Sequence, residues 1–248
     1  MRTTTLALLI GLTIGTPALS EDERTFGGPE FEKAVRDYLV ANPELLEEMQ
    51  AALEAKRDAE LQEKQVAALA EMEDRIFRSE DDLVLGNPDG DITVVEFYDY
   101  NCGVCRSALS DMQEVVERDP NVRFVLKEWP ILGPASMEAH MVSRAVAQVA
   151  PDRYGEFHLS LLGSDVRANG DNAIALAERM GLDAEAIRAK MDEQQTIAPL
   201  QDAYEIADAL GITGTPSYVV RDEVRFGAIG ADALQELIDA SRDKSRTQ

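Results

Sequence analysis

Two cysteines, Cys102 and Cys105, are all that the 248-residue chain contains. One pair cannot make the multiply bridged framework of a small secreted domain, so the fold must rest on a buried core. Histidine is equally scarce. His140 and His158 stand far apart in a helical stretch, each with an ordinary helical explanation. A structural zinc needs four ligands, commonly two cysteine pairs or one pair with two closely spaced histidines, and neither set is present. Basic residues number 24 against 47 acidic, a net charge of -23, which argues against nucleic acid as a partner because phosphate binding needs clustered cations. That charge reads instead as a soluble, self-repelling surface. Past residue 20 no apolar run approaches the length that spans a bilayer. What remains, 45% hydrophobic and 29% charged, is the composition of a globular protein, either one enlarged domain or a domain with an appendage.

The opening "MRTTTLALLIGLTIGTPALS" has a basic start at Arg2, an apolar core from Leu6 to Ile14 and small residues at Ala18 and Ser20. It fits a cleaved signal peptide over residues 1–20 and is too short for a comfortable membrane anchor. Export to the periplasm would place both cysteines where disulfides persist.

From Glu44 to Leu85 the chain lacks Gly and Pro and is rich in helix formers, predicting mostly helix. Asn42-Pro43 ends a preceding short helix around Phe31 to Ala41 and caps the next. Leu46, Met49 and Leu53, then Leu69, Met72 and Ile76, make two heptad-spaced stripes broken by "EAKRDAE". Such stripes need cover, and a second copy of the chain is favoured over the protein's own body. Residues 21–80 are therefore expected to form an oligomerisation arm.

At "GNPDGD" the pattern changes. "ITVVEFYDY" predicts a strand buried on both faces, the cysteines open a helix carrying Leu109, Met112 and Val116, and "NVRFVLKEWPIL" predicts a second strand. Residues 135 to 211 are helical in pattern, with Asp171 or Asn172 capping one helix and Asp183 the next. "GTPSYVV" and "VRFGAI" then predict a hairpin, and "ADALQELIDASR" a closing helix. The fold class expected is α/β, with a first half over 81–134, an inserted helical domain over 135–210 and a second half over 211–248.

A thiol reacts as its thiolate, and the free N–H groups at a helix start stabilise negative charge. Cys102 stands at that start with Asn101 as the expected cap; Cys105, one turn on, is expected to be more buried. Two thiolates also suit Cu(I), which keeps a copper-binding protein as an alternative of another class. A loop staple is weaker, because so small a loop limits little chain entropy. Redox exchange is the favoured reading. Thr215-Pro216 precedes a strand, a place where proline interrupts pairing.

"EFYDYNCGVC", "GTPSYVV" and the helical block between them resemble a DsbA-type thioredoxin-fold protein. "FYDYNCG" and "ILGPAS" with a helical lead-in are similar to its ScsC-like branch. The resemblance implies that Cys102 is the exposed nucleophile, Cys105 the buried resolving thiol and Pro216 a cis-proline beside them. It further implies that the backbone of Gly214 and Thr215 holds a client peptide as an added strand, next to the Gly103-Val104 pair. Glu96 matches an acidic residue that lies under the cysteines and takes protons during exchange, with Lys127 as its suggested partner; strand alternation alone does not fix which face Glu96 occupies. Gly103-Val104 departs from the Pro-His pair of strongly oxidising members, which removes one source of thiolate stabilisation. The expected activity is thiol-disulfide exchange on client proteins, as isomerase or reductase if the arm oligomerises and a membrane partner keeps the pair reduced, or as a DsbA-like oxidase. No cofactor beyond the Cys102-Cys105 pair is expected.

Overall fold

The computed structural model describes residues 28–246, so the expected signal peptide lies outside the described residues. Internal contacts divide the chain into a first unit ending at Glu54 and a second beginning at Ala55. In the first, α1 (Pro29–Ala41) has proline in its opening turn, where the missing N–H is one no helix uses. The Asn42 amide donates to the Tyr38 carbonyl at 2.7 Å, so it closes α1 and does not cap α2 (Glu44–Glu71) as expected. Within this unit Phe31, Val35, Tyr38 and Leu39 of α1, and Leu46, Met49 and Leu53 of α2, remain exposed.

In the second unit the later stripe is covered by the same chain. Ala68 and Leu69 of α2 and Ile76 of α3 (Glu73–Phe77) are buried with Val95, Phe97, Val125 and Ile206. Burying one such aliphatic side chain stabilises by about 2 kcal/mol. Gln65 adds a hydrogen bond to the Leu210 carbonyl at 2.9 Å, and Arg75 another to Asp202 at 2.6 Å. Residues 55 to 80, expected in the arm and covered by another copy, therefore belong to the body.

Five strands form one mixed sheet in the order β1-β3-β2-β4-β5. β1 (Leu83–Gly86) overlaps the end of the predicted helix; it pairs antiparallel with β3. β2 (Ile92–Tyr98), α4 (Gly103–Arg118) and β3 (Val122–Glu128) make the expected strand-helix-strand unit, with β2 and β3 parallel. The inserted block comprises α5 (Pro134–Val149), α6 (Pro151–Leu162), α7 (Gly170–Arg179), α8 (Ala184–Lys190) and α9 (Gln194–Ala209). Asn169, two residues before the expected cap, accepts from the Asn172 amide at 2.8 Å to start α7, while Asp183 caps α8 as predicted. Gly211 ends α9 at φ +64°, a left-handed backbone that favours glycine. The chain ends in the hairpin β4 (Ser217–Val220) and β5 (Glu223–Phe226), then α10 (Ala231–Arg246).

β2 is central, and strand alternation sends its side chains to two cores. Val94 and Tyr98 pack with Cys105, Met112 and Val115 of α4, and Val95 and Phe97 pack with Ile206 of α9. This placement of β2 fixes what lies beneath the cysteines.

Candidate active site

The turn after β2 brings the cysteines to the start of α4. Asp99 organises it: its carboxylate accepts from the Asn101 amide at 2.8 Å, the Leu132 amide at 3.0 Å and Ser136 Oγ–H at 2.8 Å, while its carbonyl accepts from the Cys102 amide at 2.9 Å. Asn101 is not the cap. Its side chain donates to Ser136 Oγ and to the Ala168 carbonyl and accepts from the Ala168 amide, tying the cysteine turn to the inserted block. Cys102 itself caps α4, its Sγ accepting from the Cys105 amide at 3.3 Å.

Both cysteines are free thiols. Cys102, expected to be the exposed nucleophile, is only 8% exposed, and Cys105 is fully buried, so Cys102 is the less buried of the two while still largely covered. A hydrogen bond from the Cys105 thiol is the main cause that lowers the Cys102 pKa to about 5; burial opposes it, and Thr215 and the Cys105 and Val104 amides assist. The same hydrogen bond, with burial, pushes Cys105 far above the ordinary thiol range. A nucleophile ionised at neutral pH beside a protonated second thiol is suited to exchange. The thiolate is thus stabilised although Gly103 and Val104 supply no side-chain donor.

The Thr215-Pro216 peptide is cis, and the Thr215 carbonyl lies 3.3 Å from Cys102 Sγ. At Gly214 an added side chain would meet open space, and its carbonyl accepts from Ser217 Oγ–H at 2.7 Å. Val104 is half exposed, and a shallow cleft of about 320 Å³ is lined by Asn101, Arg106, Leu132, Asp165 and Arg167.

Glu96 lies on the Tyr98 side of β2 and is buried. Burial pushes its pKa to about 8, and the charges of Cys102 and Asp111 act in the same direction. Lys127 does not reach it. The parallel register pairs Glu96 with Leu126 and Phe97 with Lys127, which puts the lysine on the opposite face, where Nζ binds Asp82 at 2.5 Å and the Arg75 carbonyl. A carboxyl with raised folded-state pKa leaves stability intact below the unfolded value of 4.5 and removes it as pH rises through about 8. Glu96→Gln is therefore expected to match the parent near pH 4 and to be about 5 kcal/mol more stable near pH 9 in urea titrations. A pH-independent difference between the two proteins would contradict a neutral, buried Glu96.

Behind the site lies a polar cluster that sequence reasoning missed. Glu128 accepts from His140 Nδ1–H at 2.7 Å, from Ser143 Oγ–H at 3.0 Å and from Tyr154 O–H. The Tyr100 amide donates to His140 Nε2 at 3.3 Å, which fixes the proton on Nδ1. Burial pushes Glu128 up, but the hydrogen bonds from His140 and Tyr154 and the Arg144 charge outweigh it and hold the group below the usual carboxylate range. Tyr98, the last residue of β2, and Tyr100, in the turn that follows, were the signal available in the sequence.

The DSBA-like thioredoxin domain model matches residues 93–239, and the copper resistance protein ScsC N-terminal domain model matches residues 30–60. The chain is 39% identical to a thioredoxin-like oxidoreductase from Silicibacter pomeroyi DSS-3, a match covering 71% of this chain and 98% of that one with a TM-score of 0.65. It is 28% identical to Proteus mirabilis ScsC in a transitional conformation, covering 87% and 94% with a TM-score of 0.65. It is also 24% identical over 165 residues to Na(+)/H(+) antiporter NhaA 1 of Salinispora arenicola, a match that takes in 64% of this chain and 24% of that one. The chain thus spans about a quarter of the length of the first curated relatives it matches. With the paired thiols at a helix start and the cis-proline against them, the chain belongs to the DSBA-like thioredoxin-domain family of thiol-disulfide oxidoreductases.

Proposed function

We propose that the protein is an exported, periplasmic disulfide isomerase or reductase of client proteins, working as a homo-oligomer assembled through α1 and the start of α2. In the exchange step Cys102 thiolate attacks a client disulfide, one client sulfur leaves as thiolate, and the mixed disulfide is resolved by a client thiol or by Cys105, which leaves the pair oxidised. A membrane redox partner then returns it to the dithiol, and no organic cofactor takes part. Client backbone adds beside Thr215 and Gly214, with Val104 and the neighbouring cleft in contact.

The observation that carries the oligomeric reading is the apolar face of the first unit, where Phe31, Tyr38, Leu46 and Met49 are all exposed. A single short helical unit has no core in which to bury these side chains, and a second copy presents the matching face. Joining several sites around one client raises their effective concentration, which favours reshuffling over single-step oxidation. The match of residues 30–60 to the ScsC N-terminal domain supports this placement.

The low Cys102 pKa favours the reduced pair and so lends support to a second reading, a DsbA-like oxidase whose partner keeps it oxidised. Truncation separates the two. A chain starting at Ala55 keeps Gln65, Leu69 and Ile76 on the body, whereas a start near Glu80 would strip them from it. The full chain is expected to sediment as an oligomer and the Ala55 chain as a monomer whose rate of refolding a scrambled-disulfide substrate falls about tenfold or more. A monomeric full chain would favour the oxidase, and undiminished isomerisation by the short one would overturn the dependence of isomerisation on the arm.

A further inference from the structure

The acidic excess of the chain is reversed in the cleft of about 320 Å³ at the cysteine turn. Of the five residues that line it, two are arginines, Arg106 and Arg167, and one is acidic, Asp165. Across the whole chain acids outnumber bases 47 to 24, so a cleft of the opposite balance is a local positive site on a negative surface.

Backbone contacts tie the cleft to the nucleophile. Asn101 immediately precedes Cys102, and the Arg106 amide donates to the Cys102 carbonyl at 3.1 Å. The Asn101 side chain holds Ala168 at both backbone groups, donating to its carbonyl at 2.8 Å and accepting from its amide at 2.9 Å. Arg167 directly precedes Ala168, and its own carbonyl accepts from Asn172 Nδ2 at 2.9 Å. Leu132 hangs by its amide on Asp99, the carboxylate that also accepts from the Asn101 amide. The network that sets the cysteine turn therefore sets the walls, and their backbone needs no ordering when a ligand arrives. The two cations differ in how far they are engaged. Arg106 donates from Nε to the Leu162 carbonyl at 3.2 Å and lies 3.6 Å from Asp165, whose carboxylate is fully exposed. Such a pair is screened by water and weak. The exposed Arg167 guanidinium has no ion pair or hydrogen bond among the described residues.

We propose that the cleft selects clients carrying an acidic side chain two residues from the cysteine under attack, with Arg167 receiving the carboxylate and Arg106 adding its charge. The spacing follows from strand geometry. In a client segment bound extended beside Thr215, the residues two positions to either side of the cysteine point to the same face as its sulfur, about 7 Å along the chain. A carboxylate suits a guanidinium better than a neutral side chain does, because it accepts two of its hydrogens at once and carries the opposite charge. The inference rests on client exchange at Cys102 and is independent of oligomeric state and of the direction of exchange.

Two synthetic peptides test this, each with its single cysteine held as a mixed disulfide with thionitrobenzoate and flanked, two residues to either side, by glutamate in one and glutamine in the other. Attack of the Cys102 thiolate on the peptide sulfur releases the coloured thionitrobenzoate thiolate; Cys105 then displaces the peptide thiolate and closes the Cys102-Cys105 disulfide. With the reduced full chain at low salt, the glutamate peptide is expected to react about fivefold faster than the glutamine peptide. The ratio should fall to about one in Arg167→Gln, and also in the parent at about 1 M salt, where exposed charges are screened within about 3 Å. It should persist in Arg179→Gln, which removes the same charge from the exposed end of α7. Equal rates in the parent, or a ratio that neither Arg167→Gln nor salt reduces, would overturn the assignment while leaving exchange at Cys102 standing. Loss of the ratio in Arg179→Gln would trace it to overall charge and overturn it as well. If neither peptide reacts, exchange at Cys102 fails and the role of the cleft fails with it.

Discussion

Titration of the reduced protein is expected to show half of one thiolate at about pH 5 by ultraviolet absorbance, and no second thiolate through neutral pH. The cause is local. Cys102 Sγ sits where α4 begins and accepts the Cys105 amide, and the Cys105 thiol donates to it as the largest single contribution. Cys102→Ser should therefore remove the signal entirely, together with exchange activity, because the remaining thiol is buried and held protonated. Cys105→Ala should move the Cys102 midpoint up toward the ordinary value of 9.0, and Cys105→Ser should fall between, since a hydroxyl still donates. Cys105→Ser should also accumulate mixed disulfides with client, seen as a covalent adduct by mass spectrometry, because attack persists and resolution does not. Glu96→Gln should leave the midpoint near 5, since Glu96 is already neutral when Cys102 ionises. A midpoint near that of a free thiol would remove the chemical basis of the site.

The parts of this site that the sequence made legible are those set by short-range rules. A β-branched run before the cysteines predicts β2, the Cys-x-x-Cys spacing predicts one turn of helix, and proline before "SYVV" predicts an interrupted strand start; the structure places each accordingly. What failed depends on register or on distant partners. Lys127 follows Leu126 by one residue, and only the parallel pairing with β2 reveals that this single step carries it to the face away from Glu96. β1 has four residues and no Gly or Pro before it, so it reads as the end of a helix until β3 supplies its hydrogen bonds. The heptad stripe at Leu69 and Ile76 matches that at Leu46 and Leu53 in spacing, yet one is covered by Phe97 and Ile206 and the other is exposed. Asn101 has the right side chain for a cap, but Ser136 and Ala168 hold it and the cysteine takes the place. His140 and His158 look like ordinary helix residues because their partners lie on β2, on the turn after it and on β3.

Glu128→Gln is expected to destabilise the protein by about 3–5 kcal/mol at pH 7 in urea unfolding, although the side chain keeps its size. The carboxylate accepts three hydrogens at once, from His140, Ser143 and Tyr154, with Arg144 close enough to add its charge. An amide offers one oxygen and one NH2 group, so one of these donors would face another donor. If His140 meets the NH2, its proton must leave Nδ1 for Nε2, and the buried Tyr100 amide then loses its acceptor at the start of the cysteine turn. The pH dependence follows from the lowered folded-state pKa: Glu128 contributes stability above the unfolded value of 4.5 and loses it as pH falls through the folded value. The gap between parent and variant should therefore narrow below pH 4.5, the reverse of the Glu96→Gln pattern, where the gap opens as pH rises. The same change should disturb exchange less than stability, since Glu128 touches neither sulfur, and the Cys102 midpoint measured on the folded variant should stay near 5. A variant within about 1 kcal/mol of the parent at pH 7 would mean that the cluster tolerates a neutral acceptor.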